Sequence, residues 1–274
     1  MLALVSVLAV GEVLTRAAHR PVGEPPPDLH ASAVTIPIGG GDTLSAWFAR
    51  GASGHGAVLL LHGVRSDRRQ MVGRARFLRE AGYSVLLADL PAHGRSTGRR
   101  ITFGHREARG VRAALEFLRR KVPDAGIGVI GVSLGAASLV LADPRPAPDA
   151  IVLESMYATV ADAVEDRLAM RFGPAGRLMA PVLLWQLGPR LGVTASQLRP
   201  VDRIGQLDAP LLIISGARDL HTPLRDTERL FAAARAPRML WVVPDAAHVD
   251  LHRHDPAGYE DRVLAFLETP LRRQ

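Results

Sequence analysis

"GVIGVSLGAASLV", residues 128–140, runs from apolar, β-branched residues through a turn of small residues into an alanine-rich stretch. A short continuous apolar run marks a strand buried on both faces, and the stretch after the turn reads as a helix. Between them, Gly131-Val132-Ser133-Leu134-Gly135 fits the pattern G-x-S-x-G. Such a turn raises a serine hydroxyl above a sheet when the backbone at the serine is strained and the residues two positions away lack side chains. Both of those residues are glycine here. The same small residues also suit a plain strand-to-helix turn, so the pentapeptide alone leaves open whether Ser133 is a nucleophile.

Outward from this turn the chain alternates strand and helix patterns. Residues 33–49 alternate with period two around Gly39-Gly40-Gly41-Asp42, which predicts an antiparallel hairpin. Apolar runs at 57–63, 84–90, 126–132, 149–155, 210–216 and 238–244 predict buried strands. Helices are predicted over 67–81, with Asp67 at its start and Gly82 past its end, and over 103–121, 134–142, 223–234 and 257–268. This implies a mainly parallel sheet covered on both faces, with an antiparallel hairpin at one edge. Residues 156–209 are too long for an ordinary crossover. They hold Met156, Met170, Met179, Leu183, Leu184, Trp185 and Leu187, and read as an inserted helical cap.

The 274 residues suit one large α/β domain or two small ones, and 47% of them are hydrophobic. The absence of cysteine excludes a disulfide scaffold, thiolate metal sites and a thiol nucleophile. The formal charge is +7, but all the basic residues except Lys121 are arginine. That bias looks like G+C-rich coding rather than selection for a nucleic-acid partner. The densest basic run, Arg65 to Arg79, reads as a solvated helix face, and no aromatics interleave with it. No metal-ligand spacing such as H-E-x-x-H occurs, so neither a metal nor a cofactor is expected. Residues 2–14 are apolar apart from Ser6 and Glu12. Three readings fit them: a short membrane anchor, a degenerate signal, or a helix packed on the protein. The proline-rich stretch 21–30 reads as an extended linker.

A serine needs a base. His248 follows the last strand, whereas His252 and His254 stand further on, at the start of the last helix, and read as surface residues. The imidazole needs an orienting carboxylate. Asp219, on the loop after the penultimate strand, fits; its competing job is to cap the next helix, for which Thr222 is closer. Asp245 and Asp250 are too near His248 in the chain to reach its far nitrogen, and Glu154 is a further alternative. Oxyanion donors are expected at the backbone N–H of Leu134 and of Val64, with His62 holding the Val64 loop.

Five segments, LLLHGVRSDR, LLADLPAHGRSTG, GVIGVSLGAAS, PLLIISGARDLHTP and PDAAHVDLH, occur in the order and spacing of the α/β-hydrolase superfamily. The chain resembles its bacterial serine-hydrolase branch, which includes dienelactone-hydrolase-like and serine-aminopeptidase-type members. The resemblance implies an α/β-hydrolase fold: a mainly parallel eight-stranded sheet with an antiparallel N-terminal edge, helices on both faces, and a helical cap after the sixth strand. The organisation expected is an apolar segment at 1–20, a linker at 21–30, and a hydrolase domain at 31–270 with its cap at about 156–205. It makes Ser133 the nucleophile, Asp219 the acid and His248 the base, with Val64 and Leu134 lining the oxyanion hole. Asp89 and residues 93–96 match a loop used structurally beneath the site. Dienelactone hydrolases use a cysteine nucleophile, so that activity does not carry over. The expected function is hydrolysis of a small carboxylic ester with an apolar group. A thioesterase, a peptidase and a non-catalytic binding protein are the alternatives. Relatives with an N-terminal membrane segment imply membrane association through residues 2–14, against a cytoplasmic alternative.

Overall fold

The apolar runs form strands whose side chains alternate between two cores. The computed structural model describes residues 2–272, and its main sheet has eight strands. These are β1 (Ser32–Gly39), β2 (Asp42–Ala49), β3 (Ala57–Leu61), β4 (Ser84–Ala88), β5 (Ile127–Val132), β6 (Ala150–Glu154), β7 (Leu211–Gly216) and β8 (Arg238–Val243). The helices are α1 (Leu2–Thr15), α2 (Val72–Glu80), α3 (Glu107–Lys121), α4 (Leu134–Ala142), α5 (Val160–Phe172), α6 (Ala180–Trp185), α7 (Leu187–Leu191), α8 (Leu224–Ala233), α9 (Leu251–His254) and α10 (Pro256–Leu271). The sheet order is β8-β7-β6-β5-β3-β4-β2-β1. β1–β2 and β2–β4 are antiparallel and the other pairs parallel, as the sequence led us to expect.

Period two sorts the strand residues. Leu59, Leu61, Val129, Leu153 and Ile213 pack in one core with α3, α4 and α8. Val58, Leu60, Ile130, Val152 and Ile214 pack in the other with α2 and α10. Each such buried side chain contributes about 1.5–3 kcal/mol, more than an exposed ion pair.

Three expectations change. The strand foreseen as buried at 238–244 is β8, at the edge of the sheet, and of its residues only Val243 is buried. The helix foreseen over 103–121 starts only at Glu107. Phe103 and Gly104 adopt positive φ, and the Glu107 carboxylate accepts from the Thr102 and Gly104 N–H groups and the Thr102 hydroxyl. The basic run is not simply a solvated face, because Arg68 and Arg74 are each 1% exposed. Arg68 pairs with Asp89. Arg74 reaches both Glu154 oxygens at 2.9 and 2.5 Å, pairs with Asp250 at 2.9 Å, and lies over the Tyr259 ring. Removing one charge of a buried pair strands the other. Glu154→Gln is therefore expected to cost about 3 kcal/mol of unfolding free energy in urea titrations. An unchanged midpoint would show that Asp250 and Tyr259 suffice for Arg74.

The cap lies between β6 and β7 and holds α5, α6 and α7. α1 rests on it: Val7 packs with Leu168, Ala180 and Leu183, and Glu12 pairs with Arg100 and Arg190. Beyond α1, Ala18–His19 pairs in parallel with His93–Gly94. Val22 and Leu29, from the proline-rich stretch, are buried in the α2–α10 core. Met1, at the head of the 1–20 segment, lies outside the described residues. Among these, no helix is long and apolar enough to cross a membrane.

Candidate active site

The turn between β5 and α4 cannot hold larger residues. A Cβ on Gly131 would come within 2.7 Å of the Ala136 nitrogen, and one on Gly135 within 2.5 Å of the Leu61 oxygen. Ser133 between them has φ 49° and ψ −106°. A side-chain-bearing residue held there costs about 1–3 kcal/mol, so its surroundings must impose it. They do: its N–H donates to the Glu154 carbonyl at 2.8 Å, and its own carbonyl accepts from the Ala137 N–H at 3.0 Å. The residue is only 4% exposed.

After β7 the chain turns through Asp219. Its Oδ1 accepts from the N–H groups of His221 and Thr222 at 2.8 and 2.9 Å. Its Oδ2 accepts from the Thr222 hydroxyl and from His248 Nδ1, both at 2.7 Å. Burial pushes the Asp219 carboxyl up, but the bonds and charge of His248, with those from Thr222, hold it below the usual aspartate range. An ionised Asp219 fixes the imidazole proton on Nδ1 and leaves Nε2 free to accept one. Thr222 spends its hydroxyl on Asp219 rather than on capping α8, which has no side-chain cap.

The competing residues are committed elsewhere. Glu154 belongs to Arg74, Asp245 pairs with Arg218, and Asp250 caps α9. His252 bonds Glu260 at 2.7 Å against the rings of Phe77 and Tyr259, and His254 faces the Pro244 carbonyl. Among the described residues the Ser133 hydroxyl makes no hydrogen bond to His248. Such bonds commonly tighten only when substrate is bound.

The loop after β3 lies against Ser133. A Cβ on Gly63 would stand 3.8 Å from that of Ser133. Gln70, which sequence reasoning passed over, accepts from the Gly63 N–H at 2.8 Å and pins the loop. His62 Nδ1 donates to the Gly63 carbonyl at 2.7 Å, while its Nε2 accepts from the Leu90 N–H at 3.0 Å. His93 does the same between the Pro91 carbonyl and the Arg65 N–H. Asp89 accepts from the N–H groups of Arg68 and Arg95. Neither Val64 N–H nor Leu134 N–H donates to a protein acceptor among the described residues. An apolar cavity of about 30 Å³ between α1 and the cap is lined by Leu14, Phe103, Val160, Val164, Leu183 and Leu187. Ser133, Asp219 and His248 do not line it. No three His, Asp or Glu side chains converge as metal ligands among the described residues.

Comparison with known proteins places this arrangement. The alpha/beta hydrolase family model matches residues 58–262, a span that includes Ser133, Asp219 and His248. An uncharacterised protein of Mycobacterium tuberculosis is 33% identical over 239 residues, 85% of this chain and 78% of its own length. YqkD of Bacillus subtilis, also uncharacterised, is 23% identical over 244 residues, 88% of this chain and 80% of its own. A Pyrococcus furiosus esterase superposes with a TM-score of 0.75 at 24% identity, over 92% of this chain and 97% of its own. A Thermogutta terrifontis esterase does so with a TM-score of 0.64 at 20% identity, over 88% and 99%. The matched span runs from β3 into α10 and takes in six of the eight strands and the turn at Ser133, and the chain belongs to the alpha/beta hydrolase family.

Proposed function

We propose that this hydrolase-family chain cleaves carboxylic esters of small molecules through an acyl-enzyme on Ser133. The hydrogen bond from His248 Nδ1 to a buried, ionised Asp219 carries the reading. His248 Nε2 takes the Ser133 proton as Oγ attacks the ester carbonyl. The N–H groups of Val64 and Leu134 receive the oxyanion, the second backed by the start of α4. The protonated His248 then gives its proton to the departing alcohol. It next deprotonates a water that attacks the acyl carbonyl, which releases the acid and restores Ser133. The mixed apolar surface of the cap supports an apolar group on the substrate. On α1, exposed Val10, Val13 and Leu14 support contact with a membrane surface.

A fluorophosphonate probe tests the nucleophile. The wild-type chain is expected to label at one site and Ser133→Ala not at all. Equal labelling of the two, or none of the wild type, would leave a non-catalytic binding protein as the better reading. Turnover of matched ester, thioester and amide substrates then separates an esterase from a thioesterase or peptidase of the same fold.

A further inference from the structure

The N-terminal segment does more than rest on the cap. Just past α1, Arg16 and Arg100 face each other across a single antiparallel bridge, and the Ile101 N–H donates to the Thr15 carbonyl at 2.9 Å. Like charges placed directly opposite one another on paired backbones repel. Arg99 and Arg106 stand in the same loop before α3 as Arg100, and Arg190 belongs to α7 of the cap. With Arg16 and Glu12 these residues line one surface cleft of about 410 Å³. Three segments distant in the chain thus bring five guanidinium groups and one carboxylate to the same place.

Glu12 does not balance them. One of its oxygens accepts from Arg100 at 2.7 Å and the other from Arg190 at 2.5 Å. Arg190 is fixed further by the Gln186 side-chain oxygen at 2.9 Å and the Leu8 carbonyl at 2.8 Å, so its role is to hold α1 on the cap. Arg16, Arg99 and Arg106 are exposed and have no carboxylate within ion-pair distance among the described residues. The Arg106 guanidinium donates only to the Leu191 carbonyl, at 3.4 Å. A neighbouring cleft shares Arg99, Arg100 and Arg106 and adds Arg109, with Asp42 as its carboxylate. The two clefts together hold six arginines against Glu12 and Asp42.

We propose that Arg16, Arg99 and Arg106 bind a phosphate group, carried by a soluble ester or by a lipid headgroup. A cleft lined by charges of one sign focuses its field and draws in the opposite ion. Gathering these cations is unfavourable by itself, and a multivalent anion between them offsets it. A phosphate monoester carries close to two negative charges and three strong acceptor oxygens, one for each free guanidinium. A carboxylate has one charge and two oxygens, which a single arginine fork satisfies. Ser133, Asp219 and His248 do not line the cleft, so the phosphate site is independent of the esterase reading.

Calorimetry of the full chain with inorganic phosphate, at constant ionic strength and about pH 8, where phosphate is mostly doubly charged, reads the site. Wild type is expected to bind phosphate saturably, and the double variant Arg99→Gln with Arg106→Gln about 30-fold more weakly. Neither side chain is buried, so this variant should melt with the wild type. Arg171→Gln with Arg253→Gln removes the same charge from exposed positions that do not line the cleft, and should bind as wild type does. Sedimentation with vesicles of phosphatidylcholine and phosphatidic acid in equal parts, against phosphatidylcholine alone, separates the two sources. Binding to the acidic vesicles that falls in the Arg99 and Arg106 variant, and not in the control, assigns the phosphate to a lipid. Saturable phosphate binding with the same dependence, and no vesicle binding, assigns it to a soluble ester. Wild type that binds neither phosphate nor acidic vesicles overturns the proposal. So does equal loss in the two double variants, which would reduce the cleft to a share of the net charge.

Discussion

Ser133→Ala is expected to lower kcat for a short-chain carboxylic ester about a millionfold, and Asp219→Asn about ten-thousandfold. The two losses arise differently. Alanine removes the attacking oxygen from a turn that remains buildable, because Gly131 and Gly135 supply the space. Asparagine keeps an acceptor for the His221 and Thr222 N–H groups, so the turn after β7 survives. In place of Oδ2, however, it puts an amide nitrogen against His248 Nδ1. A donor there drives the imidazole proton to Nε2, the atom that must accept from Ser133. KM should change little, since Asp219 sits behind His248. Because the residues act as a unit, the double variant should be no slower than Ser133→Ala alone. An Asp219→Asn variant that keeps a tenth of the wild-type kcat would remove Asp219 from the mechanism.

The candidate site was legible in the chain because its geometry is local to strand ends. Uninterrupted apolar runs mark the strands, buried on both faces inside the sheet and half-exposed at its edge in β8, and ligands bind where such strands end. Ser133, Asp219 and His248 each follow one of those runs, so sequence position alone placed them on the same edge of the sheet. What stayed hidden depends on partners distant in the chain. Arg74 sits in a basic run and looks solvated until Glu154, 80 residues away, meets it. The apolar N-terminal segment could not name its own partner, because a face attractive to lipid is equally attractive to the underside of a cap. Leu168, Ala180 and Leu183 meet Val7 there.

The loops beneath the site should also make the fold acid-sensitive through two histidines. His62 and His93 are fully buried with rings 5.1 Å apart. Burial pulls His62 down to about 4 and His93 to about 3 from an ordinary value of 6.5. In both, one ring nitrogen accepts from a backbone N–H, which only a neutral ring can do. In the unfolded chain each ring takes up its proton near pH 6.5, while the folded protein refuses it. Between those values the unfolded state binds more protons, so this contribution to stability falls as the pH falls. Three carboxyls work in the opposite sense. Burial, aided by the charges of Asp162 and Asp166, raises Asp226 to about 6, and burial also raises Asp89 and Glu107. Those groups protonate first in the folded state, so a wild-type pH curve alone does not isolate the histidines. The difference between variants does. His93→Asn should destabilise the protein at pH 7, and that deficit should shrink by about 2.5 kcal/mol by pH 4.5, because the variant no longer has a ring to keep neutral. His62→Asn should behave alike, and the two should not add, since the rings face each other. Urea titrations across this range measure it, and parallel wild-type and variant curves would show that neither ring resists protonation in the fold. On the mechanism proposed above, such resistance would serve the site: these rings hold the backbone around Val64, so a charged His62 would release the Leu90 N–H and loosen the loop proposed to supply an oxyanion donor.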